Sequence, residues 1–287
     1  MKKLPDFIVG GIQKSGTTFL TNLLINHSKV NIIKRDMDLA FFDDDRIYKK
    51  GEKWYQSLFK DYSELEDDAI VGQTSADCAF NPGSAERIMK YNPSTKLIFV
   101  LRHPIDRAYS LYWHQYGMAR EHLRFEEAIS KEPQRINKSY HKFKHYSYLE
   151  RSKYKQQFEE IYKHIPREQL LILDFESLTK ETKATVNIVL KYLGVSCIKD
   201  VEELNYSKLP RNPSKIAKSH LLVKTSSYLQ KIGLVPVGRR LVNRFRKEVR
   251  PPKMNQQTRE KLEIILKEDI EYYEKIKAEF KVKLLQS

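Results

Sequence analysis

The segment Phe7-Ile8-Val9-Gly10-Gly11-Ile12-Gln13-Lys14-Ser15-Gly16-Thr17-Thr18-Phe19-Leu20 constrains the fold more than any other stretch of these 287 residues. An apolar run of strand length leads into a glycine-bearing turn, and an apolar-periodic helix opens at Thr17. Strand, tight loop and helix in that order aim backbone N–H groups and a helix N-terminus at one point. That geometry binds a phosphate-like anion. The spacing Gly11-x4-Gly16 is that of a P-loop, in which lysine directly follows the second glycine. Here Thr17 stands in that place and the lysine lies inside the loop as Lys14. The loop is read as an anion cradle of a different kind from that of an ATPase.

A second buried strand, Lys96-Leu97-Ile98-Phe99-Val100-Leu101, runs into Arg102-His103-Pro104-Ile105-Asp106-Arg107-Ala108-Tyr109-Ser110. Arg102 offers a fork of donors suited to a phosphate, and Ser110 adds a hydroxyl about two helical turns further on. Strand signals near 6–10, 29–33, 69–73, 96–101 and 169–174 alternate with helix signals near 17–26, 82–91, 105–117, 147–163, 180–193 and 256–279. Alternation of this kind predicts an α/β fold, P-loop-like, with a mostly parallel sheet flanked by helices. The length suits a single domain carrying a basic C-terminal appendage.

The Lys14-Ser15-Gly16-Thr17-Thr18 loop resembles the 5′-phosphosulfate loop of sulfotransferases that use 3′-phosphoadenosine 5′-phosphosulfate (PAPS). The Arg102 to Ser110 segment is similar to the same family's 3′-phosphate element. Further likeness, closest to heparan-sulfate-type N- and O-sulfotransferases and their bacterial relatives, lies in Phe41-Phe42-Asp43, Trp54-Tyr55, Val71 to Ser75, Arg124 to Ile129, Arg167 to Leu173 and Tyr192-Leu193-Gly194. The resemblance implies an enzyme that moves a sulfuryl group from PAPS to a hydroxyl or amine by in-line displacement. Adenosine 3′,5′-bisphosphate is then the product. Lys14, Ser15, Gly16, Thr17, Thr18, Arg102 and Ser110 would hold the nucleotide, and Lys14 would also stabilise the developing charge. On this reading, 1–200 is the nucleotide-binding core, 201–255 a basic lid or acceptor-binding segment, and 256–287 a C-terminal helix.

Two residues compete as the base. His114 lies four residues after Ser110 and shares a helical face with it, and a histidine stands at the matching place in the heparan N-sulfotransferase pattern. Asp38 stands where the pattern Lys-Glu-x-x-Phe-Phe has its glutamate, one methylene shorter, with Asp36 and Asp43 as neighbours. Spacing favours His114. Where relatives carry an acceptor-side lysine after the third strand, this chain has Gln73, which implies an acceptor without those sulfated-glycan contacts. The resemblance places Lys247, with Arg250 as the alternative, in a basic loop that closes over the 3′-phosphate.

The net charge of +15 is concentrated. Between Lys208 and Lys253 stand thirteen Lys or Arg residues and one acid, Glu248. Such a segment is either a solvated face or a surface that gathers an acidic or glycan acceptor, the nucleotide, or an anionic membrane at its periphery. Nucleic acid is not expected, because aromatics do not interleave with the basic residues. No metal is expected, since the eight histidines and two cysteines form no ligand spacing. No stretch is long enough to span a bilayer. The basic start imitates a signal peptide, but Asp6, Gly10 and Gly11 interrupt its apolar part. Cys78 and Cys197 are expected to be buried thiols in a reducing compartment, the cytoplasm. The rival readings are a P-loop kinase or NTPase and a non-catalytic basic module that binds glycan or membrane. Against the kinase, no lysine follows Gly16, and the second strand ends in Arg102 instead of a metal-holding aspartate.

Overall fold

A computed structural model describes residues 5–33, 38–62, 65, 68–118, 120–209, 215–217, 225, 228–229, 237, 246–248 and 251–286. Strand β1 (Phe7–Gly11) is buried along its whole length, and its loop feeds helix α1 (Thr17–Leu24). The chain continues through β2 (Val30–Ile32), α2 (Asp45–Tyr48), α3 (Gly51–Ser57), β3 (Ile70–Thr74), α4 (Gly83–Tyr91) and β4 (Lys96–Leu101). Helices α5 (Pro104–Gly117), α6 (Phe125–Ser130), α7 (Glu132–Ile136), α8 (Tyr140–Tyr146) and α9 (Tyr154–His164) precede β5 (Leu170–Asp174). Then come α10 (Phe175–Lys180), α11 (Thr182–Leu193), β6 (Lys215–Ala217), β7 (Arg246–Glu248), α12 (Gln256–Ile265) and α13 (Lys267–Leu285).

These elements form two compact units. The first comprises 1–102, 154–209 and 271–287. Its five-stranded sheet has the order β2-β3-β1-β4-β5, and every pairing is parallel. Both faces are covered, which is why the strands read as continuous apolar runs and not as alternating ones. Ile8, Leu97, Phe99 and Leu101 face one core with Ile88, Phe158 and Tyr273. Phe7, Val9, Ile98 and Val100 face the other with Leu20, Leu23, Val189 and Phe280. The sheet order reverses beside β1, since the chain leaves it for the β3–β2 side and returns for β4 and β5. Open parallel sheets bind ligands outside the carboxyl ends of the strands at such a switch point. Gly11 pairs with Phe99, so the loops that leave β1 and β4 emerge as neighbours.

The second unit comprises 103–153 and 210–270. Helix α5 turns Ile105, Leu111, Tyr112 and Tyr116 onto Phe125, Ala128, Tyr148, Leu262 and Leu266. Its rear is braced by buried ions. Arg107 is fully buried; its Nε donates to Ser152 Oγ at 2.8 Å and its Nη2 to the Tyr148 carbonyl. The fully buried Glu121 carboxylate accepts Arg135 Nη1 and the Tyr148 hydroxyl, each at 2.7 Å. Strands β6 and β7 pair antiparallel, with Ile216 opposite Lys247, and β6 runs alongside α5.

All five predicted core strands are present within a residue or two. The helix predicted over 147–163 begins only at Tyr154. Residues ahead of it are committed elsewhere: Tyr148 and Ser152 brace Arg107, and Ser152 also donates to the Pro104 carbonyl at 2.8 Å. The helix predicted over 256–279 is two helices, because Leu266 leaves helical geometry at φ −105°, ψ 21°. Cys78 is buried as predicted, but Cys197 is exposed, and both thiols are free. Most of the basic segment lies outside the described residues; within it the ribbon of β6 and β7 is ordered structure where none was predicted.

Candidate nucleotide site

The loop between β1 and α1 is held by its backbone. Lys14 sits at φ 72° and Gly16 at φ 91°. A lysine in the left-handed region costs about 1–2 kcal/mol, and such strain persists where the surroundings over-determine it, typically at functional sites. Gly16 is required as well as tolerated: a Cβ there would come within 2.8 Å of the Phe175 ring. The first turn of a helix leaves its N–H groups without intrahelical partners. Gly16 at the cap of α1 brings no side chain to satisfy them. Ser15 is fully buried, and its hydroxyl finds no hydrogen-bond partner among the described residues. A buried hydroxyl and a bare helix start in one loop suit an incoming anion with several acceptor oxygens. Thr17 is buried and Thr18 exposed at the same turn.

Arg102, at the end of β4, is brought to this loop. Its Nη1 donates to the Lys14 carbonyl at 3.4 Å, and its guanidinium lies 5.0 Å from the centre of the Phe175 ring. The Tyr154 hydroxyl donates to the Arg102 carbonyl at 2.9 Å. Phe175 therefore backs both Gly16 and Arg102. Sequence reading missed Phe175 and Tyr154, because nothing in their spacing marks them; an aromatic just past a strand end reads as ordinary core.

The exit of β3 belongs to the same edge of the sheet. Ser75 N donates to Val9 O and Leu39 N to Thr74 O, both at 3.0 Å. Ser75 Oγ donates to Asp43 Oδ1 at 2.9 Å. These bonds staple the segment that begins with Asp38, whose side chain is exposed. Asp43 is 3% exposed and serves as this staple, so it is not available as a base. Asp36 lies outside the described residues. Gln73 is fully buried; the Tyr55 hydroxyl donates to its Oε1, and its Nε2 finds no partner among the described residues. Burial pushes the Tyr55 hydroxyl well above its usual range and keeps it a donor.

In the second unit Ser110 and His114 sit one turn apart on α5, half-buried and exposed respectively. Lys247 lies on β7, in the ribbon whose other strand runs alongside that helix. Arg250 lies outside the described residues. No group of three or more His, Cys, Asp or Glu able to hold a metal occurs among the described residues. No helix among them is long and apolar enough to cross a membrane.

The fold is α/β, with a tight, backbone-shaped loop suited to an anion at the switch point of a parallel sheet. Residues 4–232 match the sulfotransferase domain family, and the chain belongs to that family. It is 28% identical over 208 residues to heparan sulfate glucosamine 3-O-sulfotransferase 5 of Mus musculus, a match covering 68% of this chain and 55% of the relative. Its fold is similar to that of a sulfotransferase from Alicyclobacillus acidocaldarius, with a TM-score of 0.59 and 24% identity over 82% of this chain and 95% of the other. It is also similar in fold to mouse sulfotransferase SULT7A1, solved in complex with PAP, with a TM-score of 0.51 and 13% identity over 93% and 84% of the two chains. The chain spans about half or less of the length of the curated relatives it matches.

Proposed function

We propose that the protein transfers the sulfuryl group of PAPS to a hydroxyl or amine of an acceptor and releases adenosine 3′,5′-bisphosphate. One observation carries this reading: Lys14 has a left-handed backbone directly ahead of the buried Ser15 hydroxyl and the bare start of α1, with Arg102 on its carbonyl. Ser15, Gly16, Thr17 and Thr18 would hold the 5′-phosphosulfate through backbone N–H groups and hydroxyls. The sequence resemblance assigns the 3′-phosphate to Arg102 and Ser110 and names Lys247 as a further candidate for it.

The reaction places charge on the transferred group and on the leaving oxygen, and it is accelerated by position and preorganised donors. The acceptor O–H or N–H loses its proton to a base as its heteroatom bonds to sulfur. The bond from sulfur to the 5′-phosphate oxygen breaks, and that electron pair leaves with the bisphosphate. Lys14 would meet the charge on that oxygen. We assign the proton to Asp38, because its segment is stapled to the β3 exit at the same sheet edge as the loop, and leave His114 the supporting role. The acceptor is proposed to be a carbohydrate, in keeping with the glucosamine acceptor named for the mouse relative. Gln73, expected to face the acceptor, is instead fully buried against the Tyr55 hydroxyl and carries no argument about the acceptor's sulfates.

The test is nucleotide-dependent stability. A ligand present at about 100 times its Kd stabilises the folded state by about 2.7 kcal/mol. Adenosine 3′,5′-bisphosphate should therefore raise the melting temperature by several degrees without metal. Arg102→Ala should weaken the bisphosphate far more than adenosine 5′-monophosphate. Stabilisation by ATP with Mg²⁺ and none by the bisphosphate would replace this reading with a kinase or NTPase.

A further inference from the structure

We infer that the C-terminal helix α13 is a positioning element of the nucleotide site and that Tyr273 is its working residue. The inference takes its ligand from the proposed function, but the coupling itself stands on the geometry of the first unit. Phe175 is the ring against which both Gly16 and the Arg102 guanidinium rest. Its two sequence neighbours are each held from α13, by residues one turn apart. The Tyr273 hydroxyl donates to Asp174 Oδ1 at 2.7 Å, and Lys277 Nζ donates to Glu176 Oε2 at 2.7 Å.

Asp174 is 1% exposed and is the cap of α10: its Oδ2 accepts Ser177 N at 2.8 Å and Ser177 Oγ at 2.9 Å. Tyr273 thus takes the carboxylate oxygen that the cap does not use. A buried carboxylate with a free oxygen would be costly, so this bond fixes the carboxylate and, through it, the first turn of α10 that aims Phe175. Tyr273 is 3% exposed, and burial together with its bond to Asp174 holds it well above the usual tyrosine range, so it remains a donor at any working pH. The Lys277 contact is the weaker of the two, because Glu176 is 44% exposed and solvent screens it.

The helix reaches Arg102 from a second side. Tyr272 stacks on Phe158 of α9 with ring centres 5.9 Å apart, and Tyr154, one turn earlier on α9, donates to the Arg102 carbonyl. The last helix of the chain therefore braces both groups that define the site: the ring under Gly16 and the backbone that carries Arg102. The matched family region ends at 232, so the α13 residues of this brace lie beyond it while their partners Asp174, Glu176 and Phe158 lie within it.

The experiment compares Tyr273→Phe, which keeps the ring and deletes only the hydroxyl, with Lys277→Gln and Phe175→Leu in the full chain. Hydrogen exchange of the Ser15 and Leu20 amides, which donate to Ile12 O at 3.1 Å and Gly16 O at 3.0 Å, is read first and needs no ligand. Tyr273→Phe should speed their exchange while the β4 amides stay protected. Binding of adenosine 3′,5′-bisphosphate is read next, well below the melting transition. Tyr273→Phe should weaken it roughly tenfold, adenosine 5′-monophosphate by less, and Lys277→Gln by no more than about twofold. With Phe175→Leu in place, adding Tyr273→Phe should cost little more, because both act through one ring. Unchanged loop exchange in Tyr273→Phe, or equal losses for both nucleotides, would overturn the inference. A wild-type protein that binds no bisphosphate but shows the exchange effect would keep the coupling and overturn the ligand.

Discussion

The anion loop after β1 and the Ser110–His114 face of α5 are built from different materials. The loop is backbone: two positive-φ residues, a fully buried serine and a ring pressed against a glycine leave it one shape. The α5 face is side chains on a regular helix, half-buried and exposed, with nothing unusual in their dihedrals. What fixes that helix lies behind it, in the buried Arg107, Glu121 and Glu132. A backbone-made site is specified by glycine and spacing, whereas a helix-borne one is specified by whatever holds the helix. Substitutions in the loop should therefore strike chemistry, and substitutions behind α5 should strike stability.

The largest expected effect is at Lys14. Removing one preorganised cationic donor from developing charge costs roughly 3–4 kcal/mol, or about two to three decades in rate. Lys14→Ala should lose that much turnover with its melting temperature within a few degrees of the parent. A folded Lys14→Ala protein with near-normal turnover would break the comparison at its stronger end.

Next comes the base, which sets the sheet edge against the helix. General-base catalysis is worth about two decades or more. Asp38→Asn should lose that much in kcat, and His114→Ala should lose less. If Asp38 acts, the rising limb of the pH–rate profile should vanish in Asp38→Asn and survive in His114→Ala. The reverse order, with the limb lost in His114→Ala, would move the base to α5.

The smallest effect concerns stability behind α5. Glu132 accepts Leu149 N at 2.8 Å and Glu150 N at 2.8 Å. Burial is the dominant influence and lifts its carboxyl to about 7, although those N–H groups and Arg107 pull the other way. A folded-state value raised above the ordinary 4.5 means the group's stabilisation is complete below about pH 4.5 and is lost as pH rises through about 7. Wild-type protein should therefore lose about 1–3 kcal/mol relative to Glu132→Gln between pH 4.5 and 8, read from urea midpoints. Parallel stability curves for the two proteins would show that the buried carboxyl does not titrate as described.

Much of the loop after β1 and its neighbouring strand end was legible in the sequence. Gly11 and Gly16 mark the loop because glycine takes its positive φ values freely, Lys14 marks it by its charge, and the run Leu97–Leu101 into Arg102 marks a buried strand with a charge at its end. The α5 pair was legible too, since helical spacing relates Ser110 to His114. Phe175 and Tyr154 were not legible, because a packing ring and a backbone-directed hydroxyl leave no periodic trace. Asp43 shows the opposite failure. Its place beside Phe41-Phe42 marked it as a rival base, yet it is spent on Ser75. The break at Leu266 was invisible as well, because the apolar stripe continues through it.

Sequence alone determined the parallel α/β sheet, the anion loop and the strand-end arginine, since each rests on local rules of periodicity and backbone freedom that nearby residues settle between themselves. Only the tertiary structure decided what stands behind that loop. Arg102 reaches the Lys14 carbonyl across 88 residues, and Tyr273 reaches Asp174 across 99. Contacts that distant follow from how helices stack on the finished sheet, and the intervening chain carries no pattern that announces them.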